Sequence, residues 1–472
     1  MDSADNGLTS LKTNLDHFFL LVNALIIFLM QCGFAFLEAG SVRAKNTTNI
    51  LLKNLLDVCL GAVAYWGVGY AFAFGNPGNA FIGHNYFFFG NIPDDLLSHF
   101  FFHFVFAATA ATIVSGAMAE RTDFKAYMIY SVVITGFVYP IVSHWAWDGN
   151  GWLYQGVVVR NETIGYQDFA GSSVVHMVGG LAALVGAAIL GPRKGRFDKN
   201  NEEDFSGHTV PLVALGGFIL FFGFFAFNGG SQAAISNEGD GVVVAIAIVN
   251  TIISGSAAAL VALALGKFLF RTKKWSLLTS INGGLTGMVA ICAGCNSVYA
   301  WGAFVTGLVA GIVYIVVSAL MVKLRIDDPL DAVAVHFGGG LWGIVSVPIF
   351  ARGTGILFRW NAPAFGGFGW NLLGALVISL WTSALSILLF GALQLLHLLR
   401  VDPETEEKGL DLKEHGEPAY PLMAYVGHDG KFGLPNGHGL ELAHMEEINV
   451  GYVKDTELDV TMATKEEASQ VV

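Results

Sequence analysis

Asp168-Phe169-Ala170-Gly171-Ser172-Ser173-Val174-Val175-His176-Met177-Val178-Gly179-Gly180 is a largely apolar stretch with a histidine inside it. Asp328-Pro329-Leu330-Asp331-Ala332-Val333-Ala334-Val335-His336-Phe337-Gly338-Gly339-Gly340 repeats its order. Both run from an aspartate through seven residues to a histidine preceded by valine, then two residues, then two glycines. Eight residues of helix rise about 12 Å, close to the middle of a ~30 Å hydrocarbon layer. His176 and His336 would meet there if their helices entered from opposite faces. The rest of the chain is read outward from that pair.

The 472 residues are 54% hydrophobic and only 13% charged, with a mean hydropathy of +0.57. Soluble domains carry about 25% charged residues. The apolar residues fall in blocks about 20 long, the length a helix needs to span a bilayer. Period-two alternation is absent, which argues against a membrane barrel. The 58 glycines suit close helix approach in lipid. The expected class is an all-α membrane protein with eleven transmembrane helices, at 18–40, 55–75, 100–119, 125–147, 168–191, 210–233, 241–266, 276–293, 298–322, 331–351 and 370–399. Spans one to five and six to ten would form two inverted five-helix repeats, with an eleventh helix added. Sites near the midplane between such repeats are a transporter architecture.

Basic residues set the orientation. The odd-numbered connections hold Arg43, Lys45, Lys53, Arg121, Lys125, Arg193, Lys194, Arg196, Lys199, Lys267, Arg271, Lys273, Lys274, Lys323 and Arg325, against Arg160, Arg352 and Arg359 on the other side. This puts residues 1–17 outside as an extracellular tail, 18–399 in the membrane domain and 400–472 in a cytosolic tail. Met1 to Asp16 is polar and the first apolar run is long enough to span, so no cleavable signal is expected. Asn161-Glu162-Thr163 falls in an outer loop as a glycosylation sequon, whereas Asn46-Thr47-Thr48 faces the cytoplasm. The net charge of −12 gathers in tails and loops and points to no nucleic-acid partner. Cys292-Ala293-Gly294-Cys295 lacks the βαβ context of a redox motif. No nucleophile–base set or cofactor motif appears, so neither an enzyme nor a cofactor is expected.

A fixed charge in a dry path would hold an ion too tightly or repel it. Neutral imidazole donates from one nitrogen, accepts at the other and takes a proton near neutral pH. Two such rings suit a small polar solute, or a cation able to shed a proton. A metal site of both histidines with Asp168 is the rival, and it lacks a third ligand at the same depth. His103, His144 and His397 read as interhelix hydrogen-bonding or interfacial residues. Asp168 and Asp328 read as helix N-caps, with Pro329 in the first turn. Asp168 is also a site candidate, because an anion at a pore mouth favours a cation.

At these residues the chain resembles the ammonium transporter (Amt/Mep/Rh) family, in its plant-like Amt branch, over about 18–420. The resemblance rests on Gly33-Phe34-Ala35-Phe36-Leu37-Glu38-Ala39-Gly40-Ser41-Val42-Arg43-Ala44-Lys45-Asn46, on Asp168-Phe169-Ala170-Gly171 with His176, and on Asp327-Asp328-Pro329 with Asp331 and His336. It implies eleven helices, an outside amino terminus and a plasma-membrane homotrimer with one pore per subunit. It also implies roles. Phe106 and Phe227 match the two phenylalanines of the pore gate, and Trp147 the outer-vestibule tryptophan. Ser231 matches the serine that accepts the recruited ion, Asp168 an aspartate behind the vestibule, and His176 with His336 the twin pore histidines. Ammonium or ammonia is then the substrate and lipid the surroundings, with no metal. Gly409-Leu410-Asp411-Leu412-Lys413-Glu414-His415-Gly416-Glu417-Pro418-Ala419-Tyr420 resembles the cytosolic segment that couples neighbouring subunits. Lys413 stands where plant relatives carry a phosphorylatable threonine, so phosphorylation at this position is not expected to carry over. An electroneutral ammonia channel of the Rh kind, and an ammonium sensor with slow transport, remain as alternative readings.

Overall fold

The computed structural model describes residues 2–198, 205–268 and 274–421. Lys199, Arg271, Lys273 and the acidic tail from residue 422 onward lie outside the described residues. Ten helices among the described residues are long and apolar enough to cross a membrane: Asn6–Ser41, Ala44–Phe74, Asp94–Met118, Phe124–Gln155, Ser172–Leu190, Val210–Gly230, Asp240–Phe268, Ala300–Lys323, Val333–Phe350 and Ala362–Leu395. Large apolar side chains face outward along them, as with Leu376, Leu380 and Leu388. A soluble chain does not expose apolar surface on that scale, and helices satisfy their backbone groups without water. The chain is a multi-pass membrane protein.

The expectation of a full span at 276–293 meets Leu277–Ile291, an apolar helix of 15 residues. That is about 22 Å of rise, short of a ~30 Å hydrocarbon core. The helix stops because a turn takes over: Asn250 Nδ2 donates to the carbonyls of Cys295 (2.8 Å) and Val298 (3.0 Å). Cys292 and Cys295 sit buried in this turn as free thiols. A short antiparallel hairpin, Val157–Val159 with Glu162–Ile164, departs from the all-helical expectation. Asn161 is exposed in its turn.

Charge is concentrated where four loops meet at one end of the helices. Arg193 forks onto Asp327, with Nε 2.8 Å from Oδ2 and Nη2 3.0 Å from Oδ1. Its Nη1 lies 3.2 Å from Glu120 Oε2, which Arg43 also contacts through Nε at 2.6 Å. Arg121 Nη2 donates to the Asp327 carbonyl at 2.7 Å. Residues 403–415 close over the same end. Asn49 N donates to Asp411 Oδ1 (2.9 Å), Leu410 N to Asn46 Oδ1 (3.0 Å) and Lys194 N to Glu406 Oε1 (2.6 Å).

Burial pushes the Asp327 carboxyl up, but Arg193 outweighs it and brings the carboxyl down from 3.8 to about 2. For a depressed acid the stabilisation is complete above the unfolded value and is lost as pH falls through the folded one. Detergent-solubilised protein should therefore lose unfolding free energy as pH falls from 3.8 to about 2, and Asp327→Asn should lack that part of the fall. Arg193→Met removes one cationic partner from each of two buried carboxylates, Asp327 and Glu120, and should cost about 3–5 kcal/mol at neutral pH. Thermal unfolding across pH checks both.

Candidate functional site

Two membrane-length helices carry the histidines, Ser172–Leu190 and Val333–Phe350, and an aspartate caps the start of each. Asp168 accepts through Oδ1 from Gly171 N (3.0 Å) and Ser172 N (2.7 Å). Its Oδ2 accepts from Ser173 N (2.8 Å), Ser173 Oγ (2.6 Å) and Val174 N (3.1 Å). Asp328 Oδ2 accepts from Val333 N at 2.8 Å. These bonds serve amide groups that a helix start leaves orphaned. The helices begin at Ser172 and Val333, and both open with a wide π turn, Ser172–Met177 and Val333–Gly338, that holds the histidine. Such turns recur at functional sites.

The glycines after each histidine bring the two elements together. A Cβ at Gly180 would stand 2.3 Å from Phe337 N, and one at Gly340 would stand 2.3 Å from Ser172 O. Each helix therefore rests on the backbone of the other near the histidines. His176 Nδ1 lies 3.1 Å from His336 Nδ1, with ring centroids 5.2 Å apart and planes inclined by 21°. One Nδ1 must carry the hydrogen and the other accept it. The donor ring then exposes a lone pair at Nε2, and the acceptor ring an Nε2–H. His176 Nε2 is buried without a protein partner.

Aromatic rings form one side of the pair. The His176 ring lies 5.6 Å from Phe224 and 5.4 Å from Phe227. Phe227 stacks on Phe106 at 4.2 Å, and Phe106 meets the Trp147 ring edge-on at 5.9 Å. Trp147 Nε1 donates to the Asp168 carbonyl at 2.8 Å. Ser231 stands one turn after Phe227 and donates to its carbonyl at 2.7 Å, which leaves the serine oxygen as an acceptor. On the other side of the pair, His336 lines a cavity of about 30 Å³ with Phe34, Glu38, Leu330 and Asn282, enough for one or two waters.

The structure thus joins Trp147, Phe106, Phe227, His176 and His336 into one series of contacts. Asp168 belongs to it through its backbone carbonyl, while its carboxylate is turned into the helix start. Phe224, Phe34 and His103 were not among the expected site residues. Phe224 precedes Phe227 by three positions, and His103 precedes Phe106 by three, spacings that share a helix face. His103 lies 5.8 Å from Trp147, and its Nδ1 is buried without a partner, so no interhelix bond forms there. His144 does bond across helices, to Ala73 O at 2.8 Å and Asn79 O at 2.7 Å. No group of three or more metal-ligating side chains occurs among the described residues.

Chemically, the series offers donors and acceptors but no fixed charge between the phenylalanine pair and the histidines. A ring face attracts a cation by about 0.5–2 kcal/mol. Carrying a bare cation through hydrocarbon costs more than that.

The ammonium transporter family model matches residues 17–420. A provisionally named ammonium transporter 1 of Caenorhabditis elegans is 47% identical, over 97% of this chain and 89% of its own length. Ammonium transporter 1 member 3 of Solanum lycopersicum is 41% identical, over 87% and 94%. A solved structure titled as a sensor Amt protein superposes with a TM-score of 0.78 at 36% identity, covering 86% of this chain and 100% of that one.

Asp168→Ala strands four buried amide donors, each worth about 1–3 kcal/mol when left unsatisfied. It should lower the thermal unfolding midpoint in detergent well beyond Asp168→Asn. Were the carboxylate a direct cation ligand instead, Asp168→Asn would weaken ammonium binding at an unchanged midpoint.

Proposed function

Because the chain belongs to the ammonium transporter family, we propose that it moves ammonium across a membrane through the path that runs from Trp147 to His336. The observation that carries this reading is the 3.1 Å contact between two buried imidazoles behind a stacked phenylalanine pair. Trp147 and Phe106 hold ammonium by cation–π attraction, and the Ser231 oxygen accepts one of its hydrogens. Phe106 and Phe227 exclude water. Ammonium gives up a proton there, and ammonia passes along His176 and His336.

The histidine pair moves the proton separately. A proton arriving at His176 Nε2 makes that ring a cation, which hands its Nδ1 hydrogen to His336 Nδ1. His336 releases a proton from Nε2, and the pair is left with its tautomers reversed. Turning both rings over restores the donor–acceptor order for the next proton, and net charge then crosses with each ammonium. Potassium matches ammonium in size but has no proton to shed, which gives selectivity.

The same reading takes Leu277–Ile291 as the eighth of eleven spans, arranged as two inverted five-helix repeats plus a last helix. Residues 1–17 lie outside, 18–399 form the membrane domain and 400–472 lie in the cytoplasm, in keeping with the basic residues. The assembly is a homotrimer in the plasma membrane, and the protein is a transporter rather than an enzyme. The likeness to a structure titled as a sensor favours a second reading, in which transport is slow and the tail signals.

Voltage-clamped cells carrying the protein should show a saturable inward current with ammonium and none with potassium. His176→Ala with His336→Ala should abolish that current or let potassium through, and full ammonium flux in the double variant would sink the proposal. An alkaline shift inside without current would mean an electroneutral ammonia channel. Neither signal, from folded protein at the membrane, would favour the sensor. Phe106→Ala should weaken half-saturation by about 2–30-fold, the equivalent of one cation–π contact of ~0.5–2 kcal/mol.

A further inference from the structure

Glu38 is a buried carboxyl within a membrane-spanning helix, and the path described so far does not use it. Ionisable groups in such places are rare and mark ion or proton routes. Phe34, one turn before Glu38, has its ring 6.3 Å from that of His336. Glu38 and His336 line the same cavity, together with Gly116 and Leu330. A Cβ at Gly116 would stand 3.3 Å from Leu330 Cβ and 3.7 Å from Glu38 Oε1, so Oε1 is the carboxyl oxygen on the cavity side.

The two oxygens are held differently. Oε2 accepts from Asn54 Nδ2 at 2.6 Å. That amide is itself fixed by its other hydrogen, which goes to Ile50 O at 2.9 Å. Oε1 faces Ser115 Oγ, and Ser115 Oγ also lies 2.8 Å from Thr112 O. A serine has one hydroxyl hydrogen. When it points at Oε1 the site suits a carboxylate. When it points at Thr112 O, the serine oxygen becomes an acceptor and Oε1 can carry a proton. Both protonation states are satisfied without moving a heavy atom. The other titratable groups around Glu38 are Lys53 and Asp57 on the following helix. Lys53 Nζ donates to Thr122 O at 3.1 Å, and Asp57 Oδ2 accepts from Tyr127 OH at 2.5 Å.

We propose that Glu38 receives the proton that leaves His336 and returns it to the aqueous side, as the last fixed carrier of the histidine route. The inference rests on the transport reading above. The His336 Nε2–H bond breaks, a cavity water passes the proton on, and an O–H bond forms at Glu38 Oε1 while the Ser115 hydroxyl turns to Thr112 O. Release reverses the last step. No electron moves.

The test compares charge carried with labelled methylammonium taken up, for the parent, Glu38→Gln and Glu38→Asp in the same voltage-clamped cells. Glu38→Gln keeps the size and the Asn54 contact but cannot carry the proton. Its charge per labelled molecule should fall about a hundredfold, the low end of what a positioned proton acceptor contributes. Uptake should continue with an alkaline shift inside, and Glu38→Asp should restore part of the charge. A ratio equal to the parent's in Glu38→Gln overturns the inference while leaving transport intact. A parent that moves neither charge nor label overturns the transport reading and this inference with it. If Glu38→Gln does not reach the membrane, infrared difference spectra of the parent between acid and neutral pH decide. A carboxylic-acid carbonyl band that shifts in Ser115→Ala supports the carrier, and no such band overturns it.

Discussion

A buried N–H needs an acceptor, and in the middle of this molecule the acceptor is another imidazole. An unsatisfied buried donor costs about 1–3 kcal/mol, so His176 and His336 each make the other's position affordable only at hydrogen-bond distance. That demand fixes the geometry around them. The two helices must touch backbone to backbone, which Gly180 and Gly340 permit and a side chain would prevent. Each histidine must turn inward early in its helix, which the π turns accomplish. Each helix start must then be satisfied without water, which Asp168 and Asp328 provide.

The bilayer imposes the complementary rule, that charge belongs at the ends. Arg43, Arg121, Arg193, Glu120 and Asp327 gather there and tie together loops far apart in sequence. The forked Arg193–Asp327 pair is both well hydrogen-bonded and well matched in charge, the condition under which a buried ion pair repays its desolvation. Inside the helices the polar groups are mostly neutral, and the buried carboxyls of Glu38 and Asp57 are held by neutral side chains, Asn54 and Ser115 for the first and Tyr127 for the second.

The sequence revealed the parts that obey a simple period. Hydropathy located the membrane helices, because twenty apolar residues have few other uses in water. It overestimated residues 276–293, because a turn pinned by Asn250 looks as apolar as the helix it ends. The hairpin at 157–164 escaped, since six residues carry little pattern. The histidine pair was legible because two stretches shared an order. The aromatic series was not legible from pattern alone: among 37 phenylalanines no spacing singles out Phe106 or Phe227, and only the family resemblance did. His103 was read as an interhelix-bonding or interfacial residue because a lone histidine among apolar residues usually is one or the other. Its place beside Trp147 depends on packing against Phe74 and His99 that only three dimensions show.

The tail latch has a consequence for how the protein is made. Asn49 finds Asp411 and His415, and Asn46 finds Leu410, partners 362 to 366 residues later in the chain. At about 5–20 residues per second of synthesis, the early partners wait roughly 20–70 s for the late ones. Through that interval the first helices sit in the membrane with the loop between them uncapped. The nascent chain therefore cannot reach its finished form from the front, because a segment made after all the membrane helices seals the first loop inserted.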